Sequence, residues 1–185
     1  MIVRRRQPLP DYLKPGLYVL FVGINPGLRS AALGHHFAGP SNRFWKLLVD
    51  ARFVPEPWSY RDDWRLPEFG LGLTNIIRRP TRASDQLRPA EYRAGRRSLA
   101  AKIRRARPQI VALLGITIYR LLFAENGGTK LRHVPLGLSP RQLAGAPVFI
   151  LPNPSGRNAH VSYSDMRRAF RRLHRLALGR QSARR

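Results

Sequence analysis

The chain has 185 residues, 43% of them hydrophobic, a length that suits one compact core rather than two. With 34 Lys and Arg against 10 Asp and Glu its formal net charge is +24, which makes a polyanion the expected partner, because each phosphate neutralised releases condensed counterions. The absence of cysteine excludes disulfides, thiolate nucleophiles, zinc ribbons and iron–sulfur clusters.

Residues 1–16 read as a basic N-terminal extension, 17–178 as a single domain and 179–185 as a basic C-terminal tail. Leu17 to Gly23 is continuously apolar and then breaks at Gly23-Ile24-Asn25-Pro26-Gly27, the pattern of a buried strand delivering a turn. This longest apolar run is far too short to cross a bilayer, and no apolar leader follows Arg4-Arg5-Arg6, so neither a membrane span nor export is expected. Ser41 is placed to cap a helix carrying Phe44, Leu47, Leu48 and Ala51 on one face. Val54 to Glu68, interrupted by Pro55, Pro57 and Pro67, reads as irregular. A second strand is predicted at Gly72 to Ile76, followed by the turn Arg78-Arg79-Pro80-Thr81. From Pro89 to Arg107, Tyr92, Gly95, Leu99 and Ile103 fall on one helical stripe with arginines opposite.

Gln109 to Leu114 is a third strand, ending at Gly115 and leading into a helix through Ile116, Tyr119 and Phe123. Pro147 to Leu151 supplies a fourth, which breaks at Pro152-Asn153-Pro154-Ser155-Gly156. The last helix starts near Ser162 with Asp165 as its capping-box partner and runs to Gly179. Met166, Phe170, Leu173 and Ala177 lie along one side of it, and Arg167, Arg168, Arg171, Arg172 and Arg175 along the other. Strands alternating with helices predict an α/β three-layer sandwich, a mainly parallel sheet of about four strands flanked by helices. Ligands of such sheets collect beyond the carboxyl ends of the strands, which singles out the turns Gly23 to Gly27 and Pro152 to Asn158.

The first turn lacks the lysine and hydroxyl of a P-loop and the spacing of a dinucleotide fingerprint, so a nucleoside triphosphate or NAD site is not expected. His35 and His36 are adjacent and diverge in an extended segment, with no cysteine or nearby carboxylate to complete a ligand set, so no metal is expected. Ser155 has neither a Gly-x-Ser-x-Gly elbow nor an evident base. Taken alone, Asn25 beside Pro26 is an ordinary turn residue.

The combination is more specific. Gly23-Ile24-Asn25-Pro26-Gly27, then Gly34-His35-His36-Phe37-Ala38-Gly39-Pro40-Ser41-Asn42-Arg43-Phe44-Trp45-Lys46, then Gly72-Leu73-Thr74-Asn75-Ile76-Ile77-Arg78-Arg79-Pro80-Thr81, then Leu151-Pro152-Asn153-Pro154-Ser155-Gly156-Arg157 occur in this order. This series resembles the mismatch-specific thymine/uracil glycosylase family of the uracil-DNA glycosylase superfamily over roughly residues 17 to 176. The resemblance implies a monofunctional DNA glycosylase, without cofactor, that flips uracil or thymine out of a G:U or G:T mispair in double-stranded DNA and hydrolyses its N-glycosidic bond to begin base excision repair. It also implies a monomer located in the cytoplasm and associated with the nucleoid through DNA.

Residue by residue, the resemblance puts Asn25 where the hydrolytic water is aligned, a position held by aspartate in the efficient uracil-only branch. Backbone N–H groups in the Ile24 and Phe37 loops are the implied donors to the departing base, on which the Phe37 ring stacks. Asn153 is a further implied base-binding residue. His36 lies near the asparagine, either as an auxiliary group orienting water or a phosphate or as a satisfied structural histidine. Ser30 falls where the family contacts the pyrimidine 5-position, which leaves uracil against thymine open. Gly156, Arg157 and Asn158 correspond to the wedge that fills the vacated stack and reads the widowed guanine, with Arg157 as the plug. Asn158-Ala159-His160 departs from the family pattern. Asp85 is either an auxiliary water activator, if its loop folds back, or a solvated cap. Two alternatives stand beside this reading: a broad glycosylase acting also on A:U pairs or single strands, and a non-catalytic basic nucleic-acid-binding protein.

Overall fold

A computed structural model describes residues 8–123 and 134–182. The expected basic stretches at 1–7 and 183–185 lie outside the described residues. Five strands form one sheet: β1 (Val19–Gly23), β2 (Leu71–Asn75), β3 (Ile110–Leu114), β4 (Gly137–Leu143) and β5 (Ala146–Leu151), in the order β2-β1-β3-β5-β4. The four apolar ones are parallel neighbours, and β4 joins β5 as an antiparallel edge. Every residue of β1, β2 and β3 is buried, as expected for parallel strands covered on both faces.

The covering helices are α1 (Leu28–Leu33), α2 (Phe44–Asp50), α3 (Pro89–Ala106), α4 (Ile116–Phe123) and α5 (Tyr163–Ser182). Phe21 of β1 meets Phe44 of α2 and Phe170 of α5 at ring separations of 5.4 and 6.3 Å, which fixes those two helices on one face. Right-handed crossovers from β2 to β3 and from β3 to β5 carry α3 and α4 to the other. Gly95 lets α3 close on the sheet, because a Cβ there would sit 2.6 Å from the Ile76 carbonyl oxygen. No described helix is long and apolar enough to cross a membrane.

The three-layer α/β reading holds, while individual elements depart from expectation, among them the start of α2, whose N-cap is Arg43 and not Ser41. The sheet has a fifth strand, β4, whose residues are mostly outward-facing and include Pro140, so its hydrophobic signal is weak. The stretch read as irregular contains a 3-10 helix at Tyr60–Phe69, started by a capping box in which Ser59 N donates to Asp62 Oδ2 at 3.0 Å. The last helix passes through Gly179 to Ser182 instead of ending there. Residues 8–16 pack against the sheet: Leu9 is buried, and Tyr12 exchanges two 2.9 Å backbone hydrogen bonds with Leu73 at the free edge of β2. Asp11 in the same segment pairs with Lys102 Nζ at 2.9 Å.

Candidate active site

The carboxyl ends of β1, β2, β3 and β5 point the same way, so the segments that follow them meet around one cleft of about 860 Å3. That volume lies within the range of about 300–1,000 Å3 usual for small-ligand sites. Ile24, Asn25, Ser30, Phe37, Asn153, Gly156, Arg157 and Asn158 all line it. The turns after β1 and β5, far apart in sequence, therefore share one cavity.

The orientation of Asn25 follows from its partners. Its Nδ2 donates to Thr81 Oγ1 at 2.7 Å, to the Arg79 carbonyl at 3.0 Å and to the Pro26 carbonyl at 3.3 Å. Thr81 Oγ1 spends its own proton on the Ala83 carbonyl at 2.8 Å, so towards Asn25 it can only accept. Three acceptors around one nitrogen fix the amide, and among the described residues its Oδ1 is left without a hydrogen bond. Backbone bonds hold the supporting loop in place, with Ile77 N donating to Ile24 O at 2.8 Å and Thr81 N to Pro26 O at 3.1 Å. Thr81, 5% exposed, joins the cleft through its hydroxyl, and the signal for it in the sequence is that hydroxyl at the end of the Arg-Arg-Pro-Thr turn.

Phe37 is held from both sides. Its φ of 50° lies in the left-handed region, which costs about 1–2 kcal/mol for a residue with a Cβ. Before it, His36 N donates to Asp63 Oδ2 at 2.8 Å and His36 O accepts from Trp45 Nε1 at 3.0 Å. After it, Ala38 N donates to Ser30 Oγ and Ala38 O accepts from Arg29 Nε, both at 3.1 Å. The backbone N–H groups of Ile24 and Phe37 themselves have no acceptor among the described residues. The Phe37 ring packs on Phe44 at 4.5 Å.

Two expected site residues are elsewhere. His36 is 2% exposed and does not line the cleft; its Nε2 donates to the Pro10 carbonyl at 2.8 Å, and burial lowers its pKa. The neutral ring then accepts at Nδ1 from Asn75 Nδ2 at 3.4 Å, so it is a satisfied structural histidine beneath the turn. Asp85 sits exposed in a short 3-10 turn (Ser84–Gln86) and does not line the cleft either, although its neighbours Thr81 to Ser84 do. Its loop folds back, but the carboxylate does not come with it. Among the described residues no three potential metal ligands converge.

The second turn is built as an Asn-capped loop. Asn153 Oδ1 accepts from Ser155 N at 3.0 Å, and Asn158 Nδ2 closes the loop onto the Asn153 carbonyl at 2.9 Å. It is fastened to the start of α2 by Arg43 N, which donates to the Pro154 carbonyl at 2.9 Å. Gly156 presses on Ser41 so closely that a Cβ would lie 2.7 Å from the Ser41 carbonyl oxygen. Arg157 is left exposed at the rim.

A family model for the uracil DNA glycosylase superfamily matches residues 10–174. The chain belongs to the uracil DNA glycosylase superfamily. It is 38% identical over 163 residues to a G/U mismatch-specific uracil DNA glycosylase of Schizosaccharomyces pombe, an alignment covering 86% of this chain and 50% of that relative. The chain thus spans about half the length of this curated relative. A solution NMR structure of a candidate uracil DNA glycosylase from Methanosarcina acetivorans shares the fold with a TM-score of 0.56 at 17% identity, over 91% of this chain and 98% of that one. The matched span begins at residue 10, in keeping with the packing of the segment before β1 into the superfamily domain.

Proposed function

We propose that this chain is a monofunctional DNA glycosylase that flips uracil, and thymine to an extent set beside Ser30, out of G:U and G:T mispairs in double-stranded DNA and releases it by hydrolysis. The observation that carries this reading is the locked amide of Asn25, with Oδ1 left free, in the same cleft as the unpartnered N–H groups of Ile24 and Phe37. An everted pyrimidine held against Phe37 gains hydrogen bonds to those amides as its glycosidic bond lengthens and the electron pair moves onto the base. Asn25 Oδ1 accepts from a water and points the oxygen of that water at C1′ of the oxocarbenium-like sugar. The C–N bond breaks, a C–O bond forms, and the proton of the water leaves for solvent or for the base anion, since an amide does not take it.

The turn at Asn153 to Asn158 lines the same cleft, which supports a wedge role in which Arg157 enters the vacated stack and the backbone of Gly156 meets the orphaned base. Among the described residues no lysine lines the cleft, which favours base release without a Schiff base and without strand cleavage. No step in this chemistry requires a metal or cofactor, and one chain carries the whole cleft, which favours action as a monomer. The excess of arginine supplies sequence-independent affinity for the duplex.

The test is incubation with duplexes carrying G:U, G:T or A:U and with single-stranded uracil, followed by alkali to cut abasic sites. Base release from G:U well ahead of A:U is expected, and Asn25→Ala should abolish release while duplex affinity is retained. Equal rates on all uracil substrates would replace mispair specificity with broad uracil excision. Binding with no release anywhere would leave a non-catalytic DNA-binding protein.

A further inference from the structure

The Phe37 turn is strained and its backbone amide is unpartnered, so something outside the cleft has to hold it. Asp63 is 0% exposed and sits on the 3-10 helix Tyr60–Phe69. Its neighbour Asp62 caps that helix and faces solvent in part, whereas Asp63 turns inward. The Asp63 carboxylate collects three donors: Tyr12 Oη at 3.0 Å and His35 Nδ1 at 3.0 Å on Oδ1, and the His36 backbone N–H at 2.8 Å on Oδ2. Two of the three belong to the residues immediately before Phe37, and the third comes from the segment that crosses the edge of β2. A buried carboxylate with all its donors in place is expensive to misplace, because any movement of the turn strips a charge of its hydrogen bonds.

We infer that Asp63 is a positioning residue for the base pocket: it clamps His35 and His36 so that Phe37 keeps its left-handed backbone, with ring and amide preorganised for the flipped pyrimidine. This rests on the glycosylase reading for its readout, and the carboxylate never touches substrate. Asparagine at this position has the same shape but only one acceptor atom and no charge, so it keeps the His36 N–H on its oxygen only if its NH2 faces Tyr12 Oη and His35 Nδ1, which must then turn the hydroxyl proton away and change tautomer to accept. The charge-assisted clamp is weakened without a change of volume.

The experiment is single-turnover release from a G:U duplex by the full chain, with duplex affinity measured separately on an uncleavable analogue. Asp63→Asn is expected to lower the maximal rate about a hundredfold, the scale on which small misplacements act, with affinity changed less than about threefold. Asp62→Asn, on the same helix, weakens the cap and should lower the melting temperature while leaving the rate per folded molecule unchanged. A double-mutant cycle adds a readout that mere destabilisation does not move. Glycine adopts φ near 50° without strain, so in a Phe37→Gly background the further loss from Asp63→Asn should shrink to less than about fivefold. A full hundredfold loss in that background, or a rate loss that only tracks the fraction unfolded, overturns the clamp. Wild-type protein inert on G:U would sink the functional reading instead; the clamp would then be judged from the amide resonance of Phe37, which must move in Asp63→Asn and stay put in Asp62→Asn.

Discussion

At the scale of single residues, the orientation of Asn25 depends on a hydroxyl that could have been spent otherwise. Thr81 accepts from Asn25 only because its proton goes to Ala83. Thr81→Val keeps the shape and removes one of three acceptors, so the amide gains freedom to turn its oxygen away from the water. We expect a loss of about tenfold in single-turnover base release, against complete loss in Asn25→Ala, with both variants binding duplex normally. An unchanged rate in Thr81→Val would mean that Arg79 and Pro26 suffice to fix the amide. Eight of the residues that line the cleft were legible through the family resemblance, seven of them in turns and loops and Ser30 on α1. His36 and Asp85 were not, for opposite reasons. The partners of His36, Pro10 and Asp63, are 26 and 27 residues away in the chain, and no local pattern announces them. Asp85 follows directly on residues that do line the cleft, and only the short 3-10 turn decides that its side chain is left outside.

At the scale of elements, the strands that carry the site were readable because each is an unbroken apolar run ending in a turn. What escaped were pieces with little hydrophobic pattern: α1, only 6 residues long, the proline-containing edge strand β4, and the 3-10 helix with Pro67 inside it. That last element carries Asp63, so the clamp on the pocket came from the stretch that looked least structured. Contact between the Asn153 to Asn158 turn and the segment at Ser41 is tested at Gly156. A methyl group there would meet Ser41 Cβ at 2.4 Å and its carbonyl oxygen at 2.7 Å, and a backbone oxygen cannot swing aside. Gly156→Ala should lower stability by about 1–3 kcal/mol and push the wedge turn outward. The expected signature is a lowered melting temperature together with a reduced preference for G:U over A:U, while release from single-stranded uracil persists. Unchanged preference would separate Gly156 from reading of the opposite base.

For the whole molecule, the sequence made the layered architecture legible through its alternation of strand and helix. The strand order and the inclusion of residues 8–16 were set by long-range pairing that alternation does not encode. One consequence of that packing is a pH dependence. Burial lowers the pKa of His36 below the ordinary 6.5, and burial also lowers that of His174. Unfolded chains therefore bind protons first as pH falls below 6.5, and folding stability declines from there towards the depressed folded-state values. The carboxylates with resolved shifts titrate lower: Glu91 is held at about 2 by its hydrogen bond to Arg79, and Asp50 is held down by Tyr163. Melting temperature should therefore be flat between pH 7 and about 9 and fall as pH drops below 6.5, and His36→Gln should flatten that decline. A melting temperature level down to pH 5 in the parent protein would contradict the burial of His36.

The seam between Gly156 and Ser41, reinforced by Arg43 on Pro154, also bears on which partner has to change shape. Walls sewn together in this way do not close like a jaw, so an incoming duplex would do most of the yielding, kinking and unstacking to fit a mould already set. Pliable steps beside a mispair would then be engaged faster than stiff ones carrying the same lesion, and the mechanics of the nucleic acid would rank the substrates before any chemistry begins.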